Sequence, residues 1–343
     1  MSQYQGNAML ADRRVTFLAI LAVVTTAPES ALYAQPADPN AAPNPYVLQD
    51  SWARLTGRTL GQAIKIQVDH SDGKSIWVFE RCGSNECTNS KIPPLIKFSP
   101  SGTLEAAVGS DMFAVPHGLY VDRDGNVWAG DQIARNGKGA DLIKFSRKGD
   151  VLMILGKPGM PGNGQEFLSS VSAVVVAPNG DIYVADGHGV GTNDRIVKFS
   201  KDGKFITAWG KHGKAAGEFD TPHGIALDSG GRVYVADRAN NRIQIFEADG
   251  KFVTQWKQFG RPSDVTIDKN DTIYVADSQS DATNNPGFNR GIRIGSTKEG
   301  KVTGFIPHTS PETGSPEGVG VDDDGNVYAS WVAQMNVGRY VKK

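Results

Sequence analysis

The stretch from Thr221 to Phe246, TPHGIALDSGGRVYVADRANNRIQIF, recurs in variant form along nearly the whole chain, and this recurrence restricts the fold more than any other feature. Within it, His223 to Asp228 and Arg232 to Asp237 flank a Gly-rich turn, and the second of them alternates apolar and polar residues, as two antiparallel strands would. Arg242 to Glu247 supplies a third strand; Phe252 to Lys257, after the turn Ala248 to Lys251, supplies a fourth. One unit is a four-stranded meander of about forty residues, the period of a propeller blade.

Copies begin at Pro116 (PHGLYVDRDGNVWAGD), Ser172 (SAVVVAPNGDIYVAD), Pro262 (PSDVTIDKNDTIYVAD) and Pro316 (PEGVGVDDDGNVYAS), with a weaker one, IKIQVDHSDGKSIWVFE, from Ile64. The turn between third and fourth strands repeats as well: Phe98, Phe145, Phe199 and Phe246 each stand four residues before Gly102, Gly149, Gly203 and Gly250. The expected fold is all-β, a six-bladed propeller over residues 46–343. Its sixth copy has three strands, and Tyr46 to Trp52 precedes the first copy as Phe252 to Trp256 precedes the fifth. The N-terminal strand is therefore expected to complete the last blade and close the ring, which removes open sheet edges.

Residues 1–34 read as a secretory signal: Arg13 and Arg14, the apolar run Val15 to Val24, and Leu32-Tyr33-Ala34 before Gln35. The run is too short to span a bilayer comfortably, although an uncleaved anchor is the alternative. Arg13 and Arg14 followed by Phe17 and Leu18 also suit the twin-arginine export route. Residues 35–45, rich in Ala, Pro and Asn, read as a disordered linker. The mature protein is expected to be periplasmic or secreted and monomeric, with no stable membrane insertion. In such a compartment Cys82 and Cys87 would pair as a loop-stapling disulfide; a thiolate metal site would lack further cysteines. A net charge of −1 argues against a general phosphate-binding surface and so against nucleic acid.

In a propeller the start of each first strand and the end of each second strand meet at one mouth of the central channel. The position of His223 is filled, in chain order, by Ile64, His117, Ser172, His223, Ser263 and Glu317. Ligand-type residues fall on alternate blades, roughly 120° apart, so His117, His223 and Glu317 are expected to converge on a divalent metal. Zinc, iron and manganese are all compatible with such a set. Satisfied polar histidines entering strands are the bland reading, but three candidate ligands at one repeat position favour the metal. His70, His212 and His308 fall in turns and are expected to be exposed and without a role.

The residue after the acid ending each second strand is, in the same order, Arg81, Gln132, Gly187, Arg238, Ser278 and Trp331. Arg81 and Arg238 lie on opposite blades at the metal mouth, where two guanidinium groups would select an anionic, carboxylate-bearing ligand; pairing with Glu80 and Asp237 is the structural alternative. The loops Cys82 to Ile92, Gly187 to Asp194 and Gln279 to Asn289 are long and would wall this mouth. His188, flanked by glycines in the second of them, is a candidate proton acceptor. DRDGN at Asp122 and DDDGN at Asp322 begin like calcium loops but place Ile133 and Ala333 at the twelfth position, so they are read as inter-strand turns.

The unit GIALDSGGRVYVADRANNRIQIF with GEFDTPHG before it resembles the NHL repeat. VPHGLYVDRDGNVWAGD, DGHGVGTNDRIVKFSKDGKFITAWG and TPHGIALDSGGRVYVADRANNRIQIF resemble, more narrowly, peptidyl-α-hydroxyglycine α-amidating lyase, over about Leu60 to the C-terminus. The resemblance implies a catalytic zinc held by three histidines, matched here by His117, His223 and, with a change of residue, Glu317. It implies substrate contacts at Arg81 and Arg238, the same two positions that blade alignment marks. The family's catalytic tyrosine is matched by His188, its structural calcium loses an acidic ligand at Gly318, and its disulfides are absent. The expected activity is a metal-dependent lyase cleaving a small carboxylated substrate, such as an N-acyl-α-hydroxyglycine, to an amide and glyoxylate. A metal-dependent lactonase or esterase, and a non-catalytic NHL binding propeller, are the alternatives.

Overall fold

The computed structural model describes residues 1, 38–49, 51–308 and 315–343. The signal segment and all of the linker before residue 38 lie outside the described residues. From Tyr46 on, the chain forms six four-stranded antiparallel sheets arranged in a ring. The blade that contains the founding repeat runs Pro222–Leu227, Val233–Asp237, Arg242–Phe246 and Phe252–Trp256. The innermost strands are Ala63–Val68, Pro116–Val121, Val171–Val176, Pro222–Leu227, Pro262–Ile267 and Pro316–Val321, each beside the next and the last beside the first. Closure is as expected: Tyr46–Gln49 pairs antiparallel with Asn336–Lys342, with Tyr46 opposite Lys342.

The second strands depart from simple alternation. Ile76–Glu80, Val127–Asp131, Ile182–Asp186 and Val233–Asp237 are buried at every residue, because both faces of each blade pack on neighbours. The core is thus divided between blades: Val175, Tyr183 and Ile196 of the third interdigitate with Phe219, Ile225 and Phe246 of the fourth. Each such aliphatic or aromatic side chain contributes about 1.5–3 kcal/mol on full burial. The outermost strand Phe252–Trp256 is half exposed, so its apolar pattern is weaker. At the repeated outer turn, Gly102, Gly149, Gly203 and Gly250 have φ of 80°, 90°, 77° and 91°. At Gly102 a Cβ would also collide with the Trp52 carbonyl, so this turn requires glycine twice over.

Cys82 and Cys87 form a disulfide with Cα atoms 5.3 Å apart, both buried against Phe79, Leu95 and Phe113. It ties down the loop leaving the first blade's second strand. By loop-closure entropy a ring this small contributes about 2 kcal/mol. The double variant Cys82→Ala/Cys87→Ala should therefore lose about that much stability in urea unfolding under non-reducing conditions, with a lower midpoint; an unchanged midpoint would show that packing alone fixes the loop.

Candidate metal centre in the channel

In every blade the pairing of first and second strands is interrupted at the same place. The shifts fall between Ala63 and Lys65, Pro116 and Leu119, Val171 and Ala173, Pro222 and Gly224, Pro262 and Asp264, and Pro316 and Gly318. The residues aligned from sequence, Ile64, His117, Ser172, His223, Ser263 and Glu317, sit in these β-bulges. A bulge leaves one residue out of the ladder and re-aims its side chain, here toward the channel mouth.

His117 and His223 are oriented by the backbone of the following blade: His117 Nδ1 donates to the Ser172 carbonyl at 2.8 Å, and His223 Nδ1 to the Ser263 carbonyl at 2.5 Å. Each is left with an unprotonated Nε2, the form a metal takes. The third imidazole of the cluster is His188, swung in by the loop after Asp186, whose backbone N–H is held by Thr192 Oγ1 at 3.0 Å. Ring centroids of His117, His188 and His223 are 4.6–4.8 Å apart, and one ligand nitrogen from each lies within 4.8 Å of the others. His188 Nε2 and His223 Nε2 are 3.0 Å apart, close to the roughly 3.4 Å expected of two nitrogens on one tetrahedral zinc. The donor set fits a divalent transition metal, and three imidazoles leave further positions open.

Glu317 sits in the bulge that its alignment gives it, and its carboxylate has neighbours of its own. Its Oε2 accepts from Ser278 Oγ at 2.6 Å, while Oε1 lies 3.3 Å from Arg238 Nη1 and 3.3 Å from His223 Nε2. It stands beside the cluster, held by a serine and a guanidinium. Arg238 Nη1 also reaches His223 Nε2 at 2.8 Å, and its Nε is buried without a partner among the described residues. Arg81 extends from the opposite blade, donating to Gln62 Oε1 at 2.8 Å and Gln132 Oε1 at 3.3 Å. Neither arginine pairs with the acid preceding it: Asp237 is held by Arg242, and Glu80 lies 3.1 Å from Arg58. Trp331 does not follow an acid position. It pairs with Pro316 as Asp237 pairs with Pro222, so it occupies the acid position itself and Val332 is the true equivalent of Arg238. The sixth blade ends in Ser-Trp where the others end in Asp or Glu, and only the ladder fixes the offset.

Several site residues carry no motif. Gln132 spans Arg81 and His188, its Nε2 2.7 Å from His188 Nδ1. Beneath the histidines, Lys65 Nζ bonds Asp264 Oδ1 at 2.6 Å and the His223 carbonyl at 3.2 Å, and Asp264 Oδ2 accepts the Val319 N–H at 3.1 Å. Both side chains are almost wholly buried. The position after the bulged residue reads Lys65, Gly118, Ala173, Gly224, Asp264 and Gly318, and that pair of opposite charges among small residues was the available signal. Of the histidines given no role, His212 is exposed and pairs with Asp194 at 2.8 Å; His70 lies at the other mouth, 5.5 Å from the Tyr120 ring. Asp122 and Asp322 are turn residues, accepting backbone N–H groups from Asn126 and Asn326.

Burial first, and then neighbouring cations and imidazoles, hold His117 and His223 well below the usual histidine range; burial and Arg238 push His188 down to about 3. A histidine with a depressed folded pKa binds fewer protons folded than unfolded, so its contribution to stability rises with pH and is lost as pH falls from about 6.5 toward 3. Buried carboxylates with raised pKa, such as Asp237 at about 6, act in the opposite sense. The comparison must therefore be differential: in metal-free protein, wild type should lose stability relative to His188→Asn, on the order of 2 kcal/mol, between pH 6.5 and 4.5. Parallel thermal-midpoint profiles would show that His188 does not titrate this way.

Fold and site together define a six-bladed propeller with a histidine cluster at one channel mouth, and the NHL repeat model matches residues 219–246. Among curated proteins the chain is similar to human NHL repeat-containing protein 3, at 32% identity over 57% of this chain and 54% of that protein. It is also similar to peptidyl-alpha-hydroxyglycine alpha-amidating lyase 1 of Drosophila melanogaster, at 29% identity over 54% of this chain and 37% of that one. The matched region thus spans about half or less of each relative. A solved gluconolactonase from Xanthomonas campestris has the same fold, with a TM-score of 0.57 at 15% identity over 91% of this chain and 99% of that one.

Proposed function

We propose that the protein is a metal-dependent lyase that splits a small carboxylated substrate, in the simplest case an N-acyl-α-hydroxyglycine, into an amide and glyoxylate. The observation that carries this reading is the meeting, at one mouth, of three neutral imidazoles with two guanidinium groups that lack dedicated carboxylate partners on their own blades. His117, His188 and His223 would hold the metal, most simply zinc, which when bound supplies Lewis acidity toward the substrate's oxygens. In this reading His188 and Glu317 exchange the roles expected from sequence. Arg81 and Arg238 bind the substrate carboxylate, and the unpartnered Arg238 Nε–H is a donor that such an anion would satisfy. Glu317 accepts the hydroxyl proton; as the C–OH carbon becomes the aldehyde of glyoxylate, the C–N bond breaks and the nitrogen takes a proton to leave as the amide. Similarity to the amidating lyase supports the reaction class.

Export to an oxidising compartment accords with the Cys82–Cys87 disulfide. No helix among the described residues is long and apolar enough to cross a membrane. Purified protein stripped of metal and reloaded with zinc should release glyoxylate from an α-hydroxyglycine derivative, and the stripped form should not. Ring opening of a lactone without any glyoxylate release would replace the lyase with a hydrolase, and inactivity toward both would leave a binding propeller.

A further inference from the structure

Five blades end their second strand in a buried acid, and four of these acids meet an arginine. Arg58 lies 3.1 Å from Glu80, Arg195 2.9 Å from Asp186, Arg242 2.7 Å from Asp237 and Arg293 3.4 Å from Asp277. In the third and fourth blades the arginine opens the third strand directly opposite the acid, Asp186 facing Arg195 and Asp237 facing Arg242. Its remaining N–H groups run to loop carbonyls, those of Asn163 and Phe167 in one blade and of Lys214, Ala215 and Glu218 in the other. The repeat thus builds a cation niche, and a side chain fills it.

The second blade keeps the register and changes the charge. Asp131 faces Asp141, so a second carboxylate stands where the guanidinium should be. Both residues are at most 2% exposed. Asp131 accepts the backbone N–H groups of Ala114 and Val115 at 2.5 and 2.6 Å, whereas Asp141 Oδ1 is buried with no hydrogen-bond partner among the described residues. The disulfide loop closes over this corner: the Cys87 N–H donates to the Ala114 carbonyl at 2.7 Å. The next residue, Thr88, has a buried Oγ1 that likewise lacks a partner. Lys138 passes by, bonded to the Thr88 carbonyl and to Asp111. Burial, with Asp131 as the second cause, pushes Asp141 up to about 7; burial pushes Asp131 up to about 6. Two facing carboxylates with an orphaned oxygen are short of a positive charge.

We propose that the Asp131–Asp141 corner of the second blade binds a hard divalent cation of the calcium class, which takes the place that a guanidinium fills in the third and fourth blades. Two carboxylates match its charge, and carboxylate oxygens suit calcium, whereas zinc prefers nitrogen and sulfur. The cation would tie the second and third strands of this blade to the disulfide loop that walls the channel mouth, so the site is structural and separate from the histidine cluster.

The test uses whole protein stripped with chelator, refilled with zinc at the histidine centre and titrated with calcium chloride, with bound calcium counted per chain and the thermal midpoint followed. Wild type should take up one calcium per chain and gain several degrees as the site saturates. Asp141→Asn should take up none while holding the same zinc. Asp141→Arg, which restores the pairing of the neighbouring blades, should be calcium-insensitive and at least as stable as calcium-free wild type. Wild type that binds no calcium at millimolar concentration, or either variant binding it with wild-type stoichiometry, would overturn the proposal. Asp141→Arg keeps the test open should Asp141→Asn fail to fold.

Discussion

Glu317→Gln is expected to retain its full complement of metal and yet release glyoxylate about 10²–10⁴-fold more slowly, the usual loss when a general base is removed. The glutamine keeps the shape of the side chain and an acceptor for Ser278 Oγ, 2.6 Å away, while it can no longer take a proton. His188→Ala should do the reverse at the first step. One of three clustered imidazoles is gone, so metal affinity should fall by more than the roughly 10–100-fold that loss of a mere orienting residue costs, and turnover should vanish with the metal. The two variants separate roles that the sequence alone assigned the other way round. Metal content by elemental analysis decides between them. Metal lost from Glu317→Gln but kept in His188→Ala would restore Glu317 as the ligand and His188 as the base.

The second large effect concerns stability. Lys65→Met should destabilise the fold by about 3–5 kcal/mol, because it leaves Asp264 ionised, buried and without its partner 2.6 Å away. In a domain of this size that corresponds to a fall in thermal midpoint of about 5–8 °C. The same change frees the His223 carbonyl, so zinc affinity should weaken with it. Lys65→Met combined with Asp264→Asn removes both charges and keeps an acceptor for the Val319 N–H, so the double variant should recover most of the loss. Urea unfolding of the single and double variants measures this coupling. Additive losses would mean that Lys65 and Asp264 act separately.

The repeat made the architecture legible, because a forty-residue unit with turn glycines at fixed offsets has few ways to bury its apolar strands other than against its own copies. It also made the bulged position legible: His117, His223 and Glu317 were found by aligning copies, with no knowledge of the ladder. Blade equivalence places a residue on the ring, and there it stops. It does not say which way a carboxylate turns, and Glu317 turns to Ser278 and Arg238. Nor does it place a residue in an inserted loop, and His188 enters the cluster through a glycine-flanked segment that no other blade repeats. The misplacement of Trp331 has the same origin: without an acid to mark the strand end, only backbone pairing supplies the register.

The sequence by itself determined the number of blades and the strand that closes the ring, since both follow from local pattern repeated at fixed spacing, and it paired Cys82 with Cys87 because they are the chain's two cysteines and share one loop. The tertiary structure alone decided which other side chains meet. Contacts such as His188 with His223, Lys65 with Asp264 and Asp131 with Asp141 depend on side-chain direction and on the closing of distant segments at distances of a few ångströms. At that range a rotation about a single bond makes or breaks a contact, and no spacing along the chain encodes it.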